Sequence, residues 1–174
     1  MEAKLESPSA RLKDSYISLV DEFRQRGESL IPFILKYSTD DFLAFLDRLE
    51  KCSRGSEIPN GFVAHKTFWL IDANDQVMGV SNLRFSLTDS LKKDGGHIGF
   101  SVRPSARRQG FATIILKETL GKARERGIKR ALVTAHKGNT GSIRAILKNG
   151  GVFDSEELLP GHTDLMQRFW IPLY

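Results

Sequence analysis

The strongest constraint on the fold is a series of punctuated segments in the second half of the chain. From His97 the sequence alternates through "HIGFSVRP" and stops at Pro104, passes a basic turn ending at Gly110, and enters an amphipathic run that closes at Gly127. That run predicts a helix from Gly110 to about Arg126, with Phe111, Ile114, Ile115, Leu120 and Ala123 facing inward. The short apolar run "RALVTAH" then reads as a buried strand, and "NTGSIRAILKNGG" as a capped helix ending in glycines. Strands alternating with helices in this way require a sheet whose faces are covered by helices.

The flanking segments fit the same layout. "ARLKDSYISLVDEFRQRGE" and "STDDFLAFLDRLEKCSRG" carry apolar residues at helical spacing and predict two covering helices within residues 1–60. "KTFWLID" and "VMGVSNLRFSL" flank the turn "ANDQ" and predict a hairpin, "TDSLKKDGG" reads as a loop, and two strands surround "PGHT" near the end. The order predicts an α/β chain, a single domain over residues 1–174 built on one mixed, mostly antiparallel sheet, with the sheet and ligand-binding core at 65–171. Phe68, Trp69, Phe85, Phe100, Phe153 and Trp170 fall in strand patterns and are read as core.

One cysteine, Cys52, excludes an intrachain disulfide, and no His, Cys, Asp or Glu set has metal-ligand spacing, so no metal is expected. The first residues lack the apolar run of a signal peptide, and no segment approaches the ~20 apolar residues that span a bilayer, so a cytoplasmic protein without membrane contact is expected. The formal net charge is +5, with the excess concentrated between Arg103 and Arg130. A helix start with unpaired N–H groups and a positive dipole end, preceded by Arg107, Arg108 and Gly110, suits phosphate. Taken alone, the turn is equally a solvated basic loop. A Walker loop is excluded because no G-K-S/T follows, and a dinucleotide fold because G-x-G-x-x-G is absent.

The pattern R-x-x-G-x-A after "HIGFSVRP", followed by a helix, a strand and "NTGSIRAILKNGG", resembles the GNAT superfamily of acyl-coenzyme A-dependent N-acetyltransferases. The string "LRFSLTDSLKKDGGHIGFSVRP" further resembles a bacterial subgroup of predicted acetyltransferases. The resemblance implies acetyl-coenzyme A as cosubstrate and a sheet splayed between two strands. It implies that Arg107, Arg108, Gln109, Gly110, Phe111 and Ala112 cradle the pyrophosphate, with Thr113 close by. The backbone of Phe100, Ser101 and Val102 would pair with the pantetheine arm and polarise the thioester carbonyl, and Asn139 would meet the arm where the strands part.

Acetyl transfer needs a proton acceptor for the amine and commonly a donor for the leaving thiolate. His97 is the first candidate base, since an imidazole of reference pKa ~6.5 suits neutral pH, and His136 competes with it. The superfamily's usual tyrosine acid is replaced by Ile146, which leaves Ser142 as the hydroxyl on that helix face. Arg84 and Asn82, on the strand before "HIGFSVRP", are candidate substrate residues, Arg84 for a carboxylate or phosphate. The leading reading is transfer to a primary amine, small-molecule or peptide, by direct attack in a ternary complex. A non-catalytic acyl-coenzyme A sensor is the alternative. A transferase acting on aminoacyl-tRNA is disfavoured because no nucleic-acid recognition motif is present. A homodimer is compatible with the sequence.

Overall fold

The structure, a computed structural model, describes residues 2–174; Met1 lies outside them. Among the described residues seven strands form two antiparallel sheets. The first runs in the order β1 (Ala3–Glu6), β2 (His65–Asp72), β3 (Val77–Arg84), β4 (Ile98–Val102). The second has β7 (Met166–Pro172) between β5 (Arg130–His136) and β6 (Val152–Glu157). β4 and β5 therefore face each other as the ends of two sheets.

They meet at one point. His97 N–H donates to the Leu132 carbonyl at 2.7 Å, the Leu132 N–H donates to His97 Nδ1 at 2.9 Å, and the Gly95 N–H donates to Thr134 Oγ1 at 2.9 Å. Beyond this junction the strands part. Gly96 has φ +57°, and a β-carbon there would stand 2.3 Å from the Leu132 carbonyl oxygen, so two backbones touch where any side chain would push them apart.

Helices α1 (Lys13–Gln25) and α2 (Phe42–Ser53) cover one face of the first sheet. Tyr16, Leu19, Phe23, Phe45 and Leu49 pack there against Trp69 and Val80, with the Tyr16 ring stacked on Trp69 at 4.5 Å. Helices α4 (Phe111–Glu125) and α5 (Thr140–Lys148) close the opposite side around Leu83, Ile98, Leu116, Ala131, Val133 and Ile146. Burial of that side chain layer is the main source of stability.

Four local expectations change. Ala3–Glu6, too short and too charged to read as a strand, adds to the β2 edge, and the Lys4–Glu6 and Arg11–Glu6 ion pairs cover it. The expected loop at residues 88–96 contains a one-turn helix, α3 (Asp89–Lys93), capped by Thr88 Oγ1 accepting from the Leu91 N–H at 3.1 Å. On α4 Ile114 is only half-buried, while Leu116 and Thr119 are buried. Phe153 is 50% exposed because β6 is an edge strand with little above it.

Arg103, part of the basic run, is internal. It is 2% exposed: Nε donates to the Val77 carbonyl, NH1 to Ser18 Oγ and Glu22, and NH2 to the Ser15 carbonyl, at 2.7–2.9 Å. This one side chain ties α1 to β3 and to the end of β4. Glu22 in turn accepts from the Ser105 N–H at 3.0 Å, and these contacts hold its carboxyl below the usual range despite burial pulling the other way.

Candidate active site

The turn before α4 is built to present N–H groups. Arg108 at φ +62° and Gly110 at φ +91° are both left-handed, and Gly110 caps α4. The space around Gly110 is open, so its φ and not crowding calls for glycine. Among the described residues the backbone N–H groups of Arg108, Gln109, Gly110, Phe111 and Ala112 have no acceptor, the first inward bond being Thr113 N–H to the Gly110 carbonyl at 3.0 Å. Five successive unpaired donors thus stand at the positive end of a 15-residue helix, an arrangement whose chemistry suits an anion.

The side chains divide differently from the sequence expectation. The Arg107 guanidinium grips Glu28 through two bonds, 3.0 and 2.5 Å, and lies 5.5 Å from the Phe23 ring, so it staples the turn to the end of α1 and does not point at these donors. That pairing holds the Glu28 carboxyl below its ordinary range. Arg108 and Gln109 are exposed, and the Phe111 side chain is buried, so Phe111 can serve a ligand only through its N–H. Asn149 Nδ2 donates to the Thr113 carbonyl at 3.1 Å and holds the start of α4 to the end of α5.

From the turn, β4 leads into a cavity of about 380 Å³ between the parting strands, reached by Ile98, Gly99 and Phe100 on one side and Thr134, Ala135 and His136 on the other. The Arg84 N–H donates to the His97 carbonyl and the Arg103 N–H to the Met78 carbonyl, which sets the phase of the strand. Alternation then points the backbone groups of Gly99 and Ser101 at β3 and those of Ile98, Phe100 and Val102 at the open edge. Phe100 and Val102 thus present their N–H groups to the open edge, and Ser101 does not; its hydroxyl is buried without a partner among the described residues. Ile98 joins the open edge, a result of strand phase that needed the register.

Asn139 and Ser142 line the cavity from α5. Asn139 Oδ1 caps the helix by accepting from the Ser142 N–H at 3.1 Å, leaving its Nδ2 for a ligand. Ile146 is fully buried in the core. His97 does not reach the cavity. Its Nδ1 accepts from Leu132, which puts the proton of the neutral ring on Nε2 and leaves no lone pair for a substrate proton, and its ring packs 6.4 Å from Trp170. Burial, reinforced by the Arg84 charge, lowers its pKa to about 4. Because the folded value lies below the ordinary 6.5, the unfolded chain takes up a proton first, and stability falls as pH drops from about 6.5 to about 4. Denaturant midpoints measured across that window should fall for the native chain and stay flatter for His97→Gln.

Asn82 is also out of reach: it is fully buried, its Nδ2 donating to Thr67 Oγ1 at 3.3 Å and its Oδ1 unpartnered. The titratable groups at the cavity are instead His136, His162 and Asp94. The two imidazole centres are 5.2 Å apart, His162 Nε2 lies 3.7 Å from Asp94 Oδ2, and His136 Nδ1 is buried without a hydrogen-bond partner. His162 and Asp94 come from loops that show no pattern in the sequence. Arg84, at the end of β3, completes the wall. Cys52 is buried in α2 and burial pushes its thiol up, which gives it no part in the site.

Unpaired N–H groups at a helix start, a strand edge left open by a splay, and a polar cavity at the end of that edge lie in one continuous line. The chain belongs to the acetyltransferase (GNAT) family, whose profile matches residues 31–150, and it is by class an acyltransferase. No curated protein matches it in sequence. Among solved structures it is similar to RimL, a ribosomal alpha-N-protein acetyltransferase in complex with coenzyme A, at 15% identity and TM-score 0.70 over 98% of this chain and 94% of that one. It is similar to MccE, a microcin self-immunity acetyltransferase in complex with acetyl-CoA and AMP, at 14% identity and TM-score 0.67 over 98% and 92%. A Vibrio cholerae spermidine N-acetyltransferase chimera matches at 11% identity and TM-score 0.66 over 99% and 97%. At these identities the likeness is one of fold.

Proposed function

We infer that the chain transfers an acetyl group from acetyl-coenzyme A to a primary amine by direct attack while both are bound. The observation that carries this reading is the run of five unpartnered N–H groups continuing along the open edge of β4 into the cavity. The N–H groups of residues 108–112 and the α4 dipole would hold the pyrophosphate, and the Phe100 and Val102 N–H groups with Asn139 Nδ2 the pantetheine arm. Acetyl-coenzyme A supplies the activated acyl group when bound. The Phe100 N–H would polarise the thioester carbonyl.

In this reading His136 takes the proton of the attacking amine, with His162 and Asp94 behind it to balance the charge. The C–N bond forms as the C–S bond breaks, and the departing thiolate, hydrogen-bonded by Ser142 Oγ, takes its proton from water. The subgroup likeness of the β3 to β4 stretch belongs to the same reading. His136→Gln should lower kcat by about 10²–10⁴, with the KM of acetyl-coenzyme A little changed. Free thiol release from acetyl-coenzyme A over pooled amines tests the whole reading; coenzyme A binding without release from any pool would favour a sensor instead.

A further inference from the structure

Three arginines are not exposed among the described residues: Arg84, Arg103 and Arg168. Two are saturated. Arg103 pairs with Glu22, and Arg168 NH2 bonds Glu157 at 2.8 Å while its Nε bonds the Lys93 carbonyl at 3.0 Å. Arg84 differs. Its NH1 donates to the Gly95 and Gly96 carbonyls at 2.9 and 3.1 Å, which uses both hydrogens of that nitrogen. The Nε hydrogen and the two on NH2 have no acceptor among the described residues, and no carboxylate lies within ion-pair distance, Asp94 acting only through space.

This cation stands beside β4 at the cavity, its NH1 and NH2 both close to Gly99. Arg84 lines the cavity, and its NH2 lies 3.7 Å from the point where a β-carbon on Gly99 would stand, one residue from the Phe100 N–H. The Pro32 Cβ approaches the same point to 3.6 Å, and the Phe33 ring lies 5.9 Å from the guanidinium. Gly99 thus leaves a slot between Arg84 and the segment before α2. Burial lowers the Arg84 pKa to about 10, still charged at neutral pH. A half-buried cation without a counter-charge is costly unless a ligand supplies one.

We propose that the acceptor carries an anionic group, of carboxylate or phosphate chemistry, a few bonds from its amine, and that Arg84 binds it through the Nε and NH2 fork. The proposal rests on the acetyl-transfer reading above. A carboxylate can accept from both free donors of the fork while NH1 goes on holding Gly95 and Gly96. An amino acid or an aminoalkylphosphonate joins an amine to such an anion; an aliphatic polyamine brings a second positive charge to Arg84 and is disfavoured.

The test compares thiol release from acetyl-coenzyme A with an amino acid, the amine of the same length lacking the carboxylate, an aminoalkylphosphonate, and spermidine. Acetyl-coenzyme A and acceptor binding are followed separately by calorimetry. The anionic acceptors should be favoured in kcat/KM by about a hundredfold over the plain amine, and the carboxylate and phosphonate arms identify the anion. Arg84→Gln should raise the acceptor KM at least about tenfold with that of acetyl-coenzyme A unchanged, and Arg84→Lys should recover part of the loss. Plain amine or spermidine turning over as well as the anionic acceptors, with acetyl-coenzyme A bound normally, would overturn the role of Arg84 and leave acetyl transfer standing. Loss of acetyl-coenzyme A binding itself in the native protein would overturn the transfer reading. Should the cofactor bind without turnover, failure of amino acid and phosphonate alike to bind the coenzyme A complex would overturn the anion site.

Discussion

Arg103→Ala is expected to lower the stability of the fold by about 3–5 kcal/mol, the range for removing one partner of a buried, hydrogen-bonded ion pair. The reason lies in what is left behind. Glu22 keeps its bonds to Ser105 but loses its counter-charge, and the Val77 and Ser15 carbonyls lose their donors beneath α1. For a chain of this size the loss corresponds to a fall in melting temperature of roughly 6–20 °C. Thermal and denaturant melts of the variant measure it, and a change of less than about 1 kcal/mol would show that α1 is held by its apolar face alone. Because Arg103 touches neither the unpaired N–H groups nor the cavity, activity measured well below the melt should survive.

Gly96→Ala should act on stability and activity together. Its β-carbon would stand 2.3 Å from the Leu132 oxygen and 2.9 Å from the Leu132 carbonyl carbon, and both are backbone atoms of a strand anchored by β7. Relief requires β4 and β5 to separate at the point where they meet, breaking the bonds between His97 and Leu132. A cost of about 2–4 kcal/mol follows from backbone strain and lost bonds. The splay would also open by a sizeable fraction of an ångström, and misplacement of about 1 Å between reacting groups costs about 10² in rate. Steady-state kinetics on the folded fraction should therefore show kcat reduced far more than the melt alone explains. Unchanged kcat would mean that the junction does not set the spacing of the site.

The segments around the turn were legible in the sequence because their signals are local. Pro104 ends a strand, Gly110 opens a helix, Asn139 caps the next, and each acts within a few residues of its own position. Arginines were harder to sort. Arg103, Arg107 and Arg108 look alike in a charge run, yet Arg103 is buried in a network, Arg107 is bound to Glu28, and Arg108 stays exposed beside the unpaired donors. The distinction depends on α1, some eighty residues earlier in the chain.

The histidines show the same limit. His97 has the strand position expected of a base, but β5 supplies an N–H to its Nδ1 and closes that option. His136 and His162 are separated by a helix and an edge strand and meet only because β7 returns beside β5. Strand phase was similarly invisible: whether Phe100 or Ser101 presents its N–H to the open edge depends on the register with β3, which no single-strand pattern encodes.

The most direct measurement of the central claim is an amide-resolved NMR titration of the folded protein with acetyl-coenzyme A. The expected result is a saturable shift of the backbone amides of Arg108, Gln109, Gly110, Phe111 and Ala112, joined by Phe100 and Val102 on the open edge of β4, while Gly99 and Ser101, bonded toward β3, move least. Shifts confined to other surfaces, or no saturable shift in a protein that remains folded, would contradict it.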